Sequence, residues 1–351
     1  MVDWSLARQI AGFAAGSDRE VSLGVDFEER SSVLSREVAR FTHLTARTPV
    51  PRAELLGRRE WAAMNLDSLS HLLDPVASRL DKRMAFAGPL AGALRIGASA
   101  TLAAEAGLVI GYVSQRVLGQ YELSLLQPEL SPRLVFVAPN LDRAARDLDV
   151  DRDSFFDWIV LHELTHVLQF QGVGWLREHF SKLVRAYVDT VDVRIERGAA
   201  GGVPLLPQPA KLVEAFREGG LAALVQTREQ RELMTRIQAV MSVIEGYSEH
   251  VMDALGERVL PAYEGLRDAM ERRRRSRSAP ERVLERLLGL DFKMRQYELG
   301  KRFCDAVADD GGMHALNRVW DSPEALPTLP ELSQPAAWLE RVPGPAAAAA
   351  I

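Results

Sequence analysis

The chain has 351 residues, 47% of them hydrophobic and 26% charged, which excludes wholesale disorder and fibrous or coiled-coil-only architectures. A chain of this length buries a core without covalent staples, and its one cysteine, Cys304, cannot close an intramolecular disulfide, so the reducing cytoplasm is the expected compartment. The 43 basic and 48 acidic residues leave a net charge of −5, which argues against a protein devoted to nucleic acid.

In chain order, the N-terminus carries an acid, Asp3, where a signal peptide would carry basic residues, and no long apolar core follows. Ser31 to His43 and Trp61 to Leu80 read as helices, and residues 1–82 show little β character. Met84 to Leu118 is rich in Ala, Gly, Leu and Ile, with Gly88-Pro89 and further glycines pointing to helices broken by tight contacts. Arg95 and Glu105 interrupt that stretch, and a charge at mid-bilayer costs about 2.5–3.5 kcal/mol, so packing inside a soluble protein is the expectation rather than a membrane span. Leu134 to Ala138, between two prolines, is the best strand candidate. Asp151 to Phe170 is a strong helix, with Asp153 or Ser154 able to cap it and Gly172 to stop it. Gly198 to Pro209 reads as a loop, Arg228 to Leu255 as a second long helix, and Arg272 to Ser278 as a solvated basic turn or loop. The pattern predicts a mainly α fold, α+β at most, with a small β element near 134–138. An N-terminal helical region (1–100) would pack on a core (101–342) with a frayed tail (343–351), although a single compact unit also fits.

The chemistry is concentrated in His162-Glu163-Leu164-Thr165-His166, an H-E-x-x-H motif. On a helix, residues i and i+4 lie about 40° apart around the axis, so both imidazoles point the same way and form half of a tetrahedral zinc site. Glu163 lies beside the first ligand, placed to take a proton from zinc-bound water without ligating. The helix is apolar on more than one face, and two histidines and a glutamate on a buried helix are expensive unless paired or bound to metal.

A catalytic zinc needs a third protein ligand. The longer motif H-E-x-x-H-x-x-G-x-x-H is excluded, because Gln169 holds its glycine position and Gly172 its third histidine. The candidate is instead a glutamate on a second helix, in Ile244 to His250. Glu245 and Glu249 share one face there, Glu245 as third ligand and Glu249 accepting the outer N–H of a zinc-bound histidine, His162 first. Gly246 would let the two helices approach closely. His250 is the alternative ligand, and Glu214, Glu229 and Glu232 are weaker ones.

This arrangement resembles the glutamate-type zincins, in which a second helix supplies the third ligand and an acidic residue four positions later backs a histidine. The chain is similar, more specifically, to an actinobacterial-type zincin-like metalloprotease family often labelled as associated with deazaflavin-coenzyme biosynthesis. The resemblance runs through Gly111 to Tyr121, Phe136 to Asn140, the H-E-x-x-H helix to Arg177, Glu245-Gly246, and Met294 to Gly300. It closes at Trp320, Leu326 to Thr328 and Trp338. It implies a zincin core in a helical setting and names no substrate, and no residue here supports the coenzyme association chemically.

The reading is therefore a zinc-dependent metallohydrolase with one Zn2+ per chain, acting as a peptidase on a peptide or protein substrate. Val135, Phe136 and Val137 would form the edge strand to which an extended peptide adds. Tyr297 is the first candidate to donate to the oxyanion, ahead of Tyr247, His250 and Arg295. A catalytically inactive zinc-binding scaffold that acts through partners is the alternative. The sequence is silent on oligomeric state.

Overall fold

Side-chain caps start the helices that frame the structure. The computed structural model describes residues 2–17, 21–84, 91–125, 127, 129–190, 227–261, 263–275 and 290–344. Of these, 75–77, 79–84, 91–96, 98, 274–275 and 290–297 are described by backbone alone. The elements are α1 (Trp4–Ala14), α2 (Phe27–Thr42), β1 (Ala53–Leu56), α3 (Arg58–Met84), α4 (Ala91–Ser114), β2 (Gly119–Glu122), β3 (Arg133–Val137), α5 (Ala138–Leu148), α6 (Arg152–Gly172) and α7 (Leu176–Thr190). There follow α8 (Arg228–Val259), α9 (Tyr263–Arg275), α10 (Leu290–Leu316), a 3-10 turn (Asn317–Trp320), α11 (Leu329–Leu332) and α12 (Pro335–Arg341). Asp3, Asp26 and Asp151 accept from first-turn amides of α1, α2 and α6, and Thr227 forms a reciprocal capping box with Gln230 at the start of α8.

The fold is mainly helical around one three-stranded sheet of order β1-β3-β2, with β1 parallel and β2 antiparallel to β3. The alternation of β3 divides the interior. Leu134 and Phe136 join the larger core with α2, α5, α6 and α8, whereas Val135 and Val137 join a smaller one with α1, α3 and α4. This corrects the expectation that Val135, Phe136 and Val137 form an edge. All three are fully buried and β3 is paired on both sides, which is what an unbroken apolar run signifies. The expectation of little β character before residue 82 is also corrected. β1 is only four residues long, and the Glu54–Arg133 pair, at 2.6 and 2.9 Å, ties it to β3.

Within the run expected to be broken helices, Ala91–Ser114 form the single helix α4, and no helix among the described residues is long and apolar enough to cross a membrane. Arg272 to Arg275 close α9 instead of forming a loop. Gly88-Pro89, the 198–209 segment, Glu214, Ser276 to Ser278 and the tail from 345 lie outside the described residues.

Helix α8 crosses α10 at a pair of glycines. A Cβ on Gly246 would collide with the backbone of Gly300, and one on Gly300 with the backbone of Ser242. The close approach expected of Gly246 is thus made to α10 and not to the H-E-x-x-H helix. Backbone cannot swing aside as a side chain can, so Gly300→Ala is expected to lower stability by roughly 1–3 kcal/mol, measured as a shift in urea midpoint at unchanged slope.

Candidate metal centre

Helix α6 is buried on nearly all sides by Phe155, Phe156, Trp158, Ile159, Val160, Leu161, Leu164, Val167 and Leu168, so its few polar side chains must find partners within the protein. His162 and His166, one turn apart, stand edge to face at 87° with centroids 4.7 Å apart, and their Nε2 atoms are 3.2 Å apart. Across from them, α8 brings Glu245 Oε2 to 3.9 Å from His162 Nε2 and 3.8 Å from His166 Nε2. Among the described residues, these three form the one group of His, Cys, Asp or Glu side chains close enough to share an ion. A point equidistant from three atoms so separated lies about 2.1 Å from each, which matches zinc bonds to imidazole nitrogen and carboxylate oxygen. The donor set and its spacing fit the metal.

Behind the donors, His166 Nδ1 is 2.9 Å from Gln169 Oε1, and Gln169 Nε2 donates to the Ile244 carbonyl at 3.0 Å. His162 Nδ1 is 3.0 Å from the Ser248 hydroxyl. Ser248, three residues after Glu245, thus faces the outer nitrogen of His162. Neither Gln169 nor Ser248 was singled out as a partner of the histidines from the sequence. The available signal was the three-residue spacing of Gln169 from His166 and of Ser248 from Glu245.

Glu163 does not join the three donors. It is buried, 6% exposed, and the Tyr121 main-chain N–H donates to its carboxylate. Burial pushes its carboxyl up to about 7; His166 opposes the shift, Glu245 adds to it and the Tyr121 amide opposes it. The strand beside it is β2. Leu118 accepts from Val137 N at 2.9 Å, so by antiparallel alternation Gly119 and Tyr121 turn their main chains outward, towards Glu163. A Cβ on Gly119 would lie 2.8 Å from Glu163 Cγ and 2.9 Å from Oε1, so only glycine leaves that carboxylate its place. The sheet edge at the site is thus Gly119–Glu122, too short and polar to read as a strand from the sequence.

The remaining candidates fall elsewhere. His250 Nδ1 is 2.9 Å from Asp305 Oδ1, in a cluster where Lys301 also bridges Asp253 and Asp305, and it takes no place among the donors. Tyr247 is fully buried, packs on Trp320 and donates to Asn317 at 2.8 Å; burial raises its hydroxyl pKa far above the ordinary value. It is a core residue. The side chains of Tyr297 and Arg295 lie outside the described residues. Glu229 is an exposed first-turn residue of α8, and Glu232 pairs with Arg228.

The zincin-like metallopeptidase family model matches residues 2–339. The chain belongs to that family. It is also similar, at 31% identity and a TM-score of 0.71 over 97% of this chain and 98% of the other, to the crystal structure of a candidate hydrolase with a novel fold from Chloroflexus aurantiacus. Among curated proteins none matches. A zincin-like family implies zinc, and His162, His166 and Glu245 form a cluster able to hold it.

The raised Glu163 pKa has a readable consequence for chelated, metal-free protein. The folded state holds this proton more tightly than the unfolded chain does, so the contribution to stability is full below the ordinary carboxylate pKa. It is then lost as pH rises through about 7. Urea unfolding between pH 5 and 8 in chelator is expected to show this decline, and Glu163→Gln is expected to flatten it.

Proposed function

We propose that the chain is a zinc-dependent peptidase, with His162, His166 and Glu245 as ligands and Glu163 as general base. The observation that carries this reading is the donor triangle of 3.2, 3.8 and 3.9 Å with a separate, braced carboxylate beside it. A zinc ion held by these three side chains would supply a Lewis acid and make water a stronger acid at neutral pH.

The chain's own groups then have distinct tasks. Glu163 takes the proton of the attacking water and passes it to the leaving amine. Its burial also excludes competing solvent. Tyr121 N–H and the missing side chain of Gly119 set the direction of the carboxylate.

Elemental analysis is expected to find near-stoichiometric zinc in the wild type and in Glu163→Gln, and almost none in Glu245→Ala. On a proteome-derived peptide library read by mass spectrometry, Glu163→Gln is expected to lose roughly 100- to 10,000-fold in cleavage rate. Full cleavage by that variant would remove the proposed base. Gly119→Ala forces the flexible Glu163 side chain, not the fold, to move. It is expected to keep its zinc and its melting temperature while kcat drops by about 100-fold.

A further inference from the structure

The two histidines are held from behind by groups of different chemistry. The Ile244 carbonyl has no hydrogen to give, so the end of Gln169 that lies 3.0 Å from it is the amide nitrogen. The amide oxygen is thereby turned to His166 Nδ1, at 2.9 Å. An amide oxygen only accepts, so Nδ1 carries the proton. A neutral imidazole has one such proton, which leaves a lone pair on Nε2, the atom that faces His162 and Glu245. Gln169 is fully buried, so bulk water cannot stand in for either bond.

We infer that Gln169 is a positioning residue that presets His166 in the Nδ1–H tautomer and ties α6 to α8 at the residue preceding Glu245. The use made of the resulting lone pair rests on the zinc reading above; the tautomer itself does not. His162 is held differently. The Ser248 hydroxyl, 3.0 Å from its Nδ1, donates or accepts equally well and suits either tautomer. The Ile244 link adds a second role, since a shift of α8 that moved Glu245 would also pull on the amide that orients His166.

Two-dimensional 15N–1H NMR of histidine-labelled, chelator-treated protein at pH 8 reads the tautomer directly, with the His166 signal assigned by its loss in His166→Gln. The wild type is expected to show His166 as Nδ1–H. Gln169→Leu is expected to move it to Nε2–H, Gln169→Glu to retain Nδ1–H, and Ser248→Ala to leave it unchanged. In zinc titrations against a competing chelator, Gln169→Leu is expected to weaken binding by about 10- to 100-fold at retained helical content, which a purely structural role would not do. Nε2–H in the wild type overturns the inference, and this single measurement decides it even if Gln169→Leu fails to fold. A folded Gln169→Leu protein that keeps Nδ1–H and wild-type zinc affinity overturns it as well. Nδ1–H in a wild type that takes up no zinc upholds the tautomer and overturns the zinc reading alone.

Discussion

Two carboxylates and two imidazoles share a few ångströms inside an otherwise apolar core, and the surrounding structure is arranged to make that tolerable. An unpaired charge in such a place costs several kcal/mol or shifts its pKa until it neutralises, as Glu163 does in part. Three of the four groups are answered by a specific neighbour outside the cluster. Gln169 and the Ile244 carbonyl serve His166, Ser248 serves His162, and a strand amide serves Glu163. One turn of α8, from Ile244 to Ser248, supplies a donor and two of these supports.

That turn has to stay in register with α6, and the packing on its far side holds it there. Gly246 and Gly300 bring α8 and α10 together at backbone distance, immediately beside Glu245. Tyr247 reaches the other way, to Asn317, which in turn donates to the Thr42 carbonyl at the end of α2. Successive residues of α8 therefore have separate duties, Glu245 to the cluster, Gly246 to α10, Tyr247 to the core and Ser248 to His162. A one-residue slip would misdirect all four.

Much of this was legible because helical periodicity is local. The motif gave His162, Glu163 and His166, and the apolar run Val240 to Ile244 leading into Glu245 gave the third donor. Ser248 was missed because which side chains of α8 face His162 depends on the side from which α6 crosses, and no local pattern in α8 encodes that. The edge strand was misplaced for a similar reason. Val135 to Val137 look the more strand-like, but which strand lies outermost is decided by partners far away, at residues 53–56 and 119–122. The buried, uniformly apolar character of β3 argued for a central position and was the clue to weigh. The proline-flanked run gave the strand itself, and periodicity gave the long helices to within a few residues, although α6 is capped by Asp151 and not by Asp153 or Ser154.

Both margins of the sheet end in the same way. At β1 the Ala53 N–H is taken by the Glu28 carboxylate at 2.9 Å, and at β2 the Tyr121 N–H is taken by Glu163. Exposed strand edges invite pairing with other chains, and a carboxylate set against the edge discourages it by occupying a donor and opposing approaching carbonyls. The residue proposed as base thus also closes the margin of the outermost strand, so one side chain serves both the chemistry and the end of the sheet.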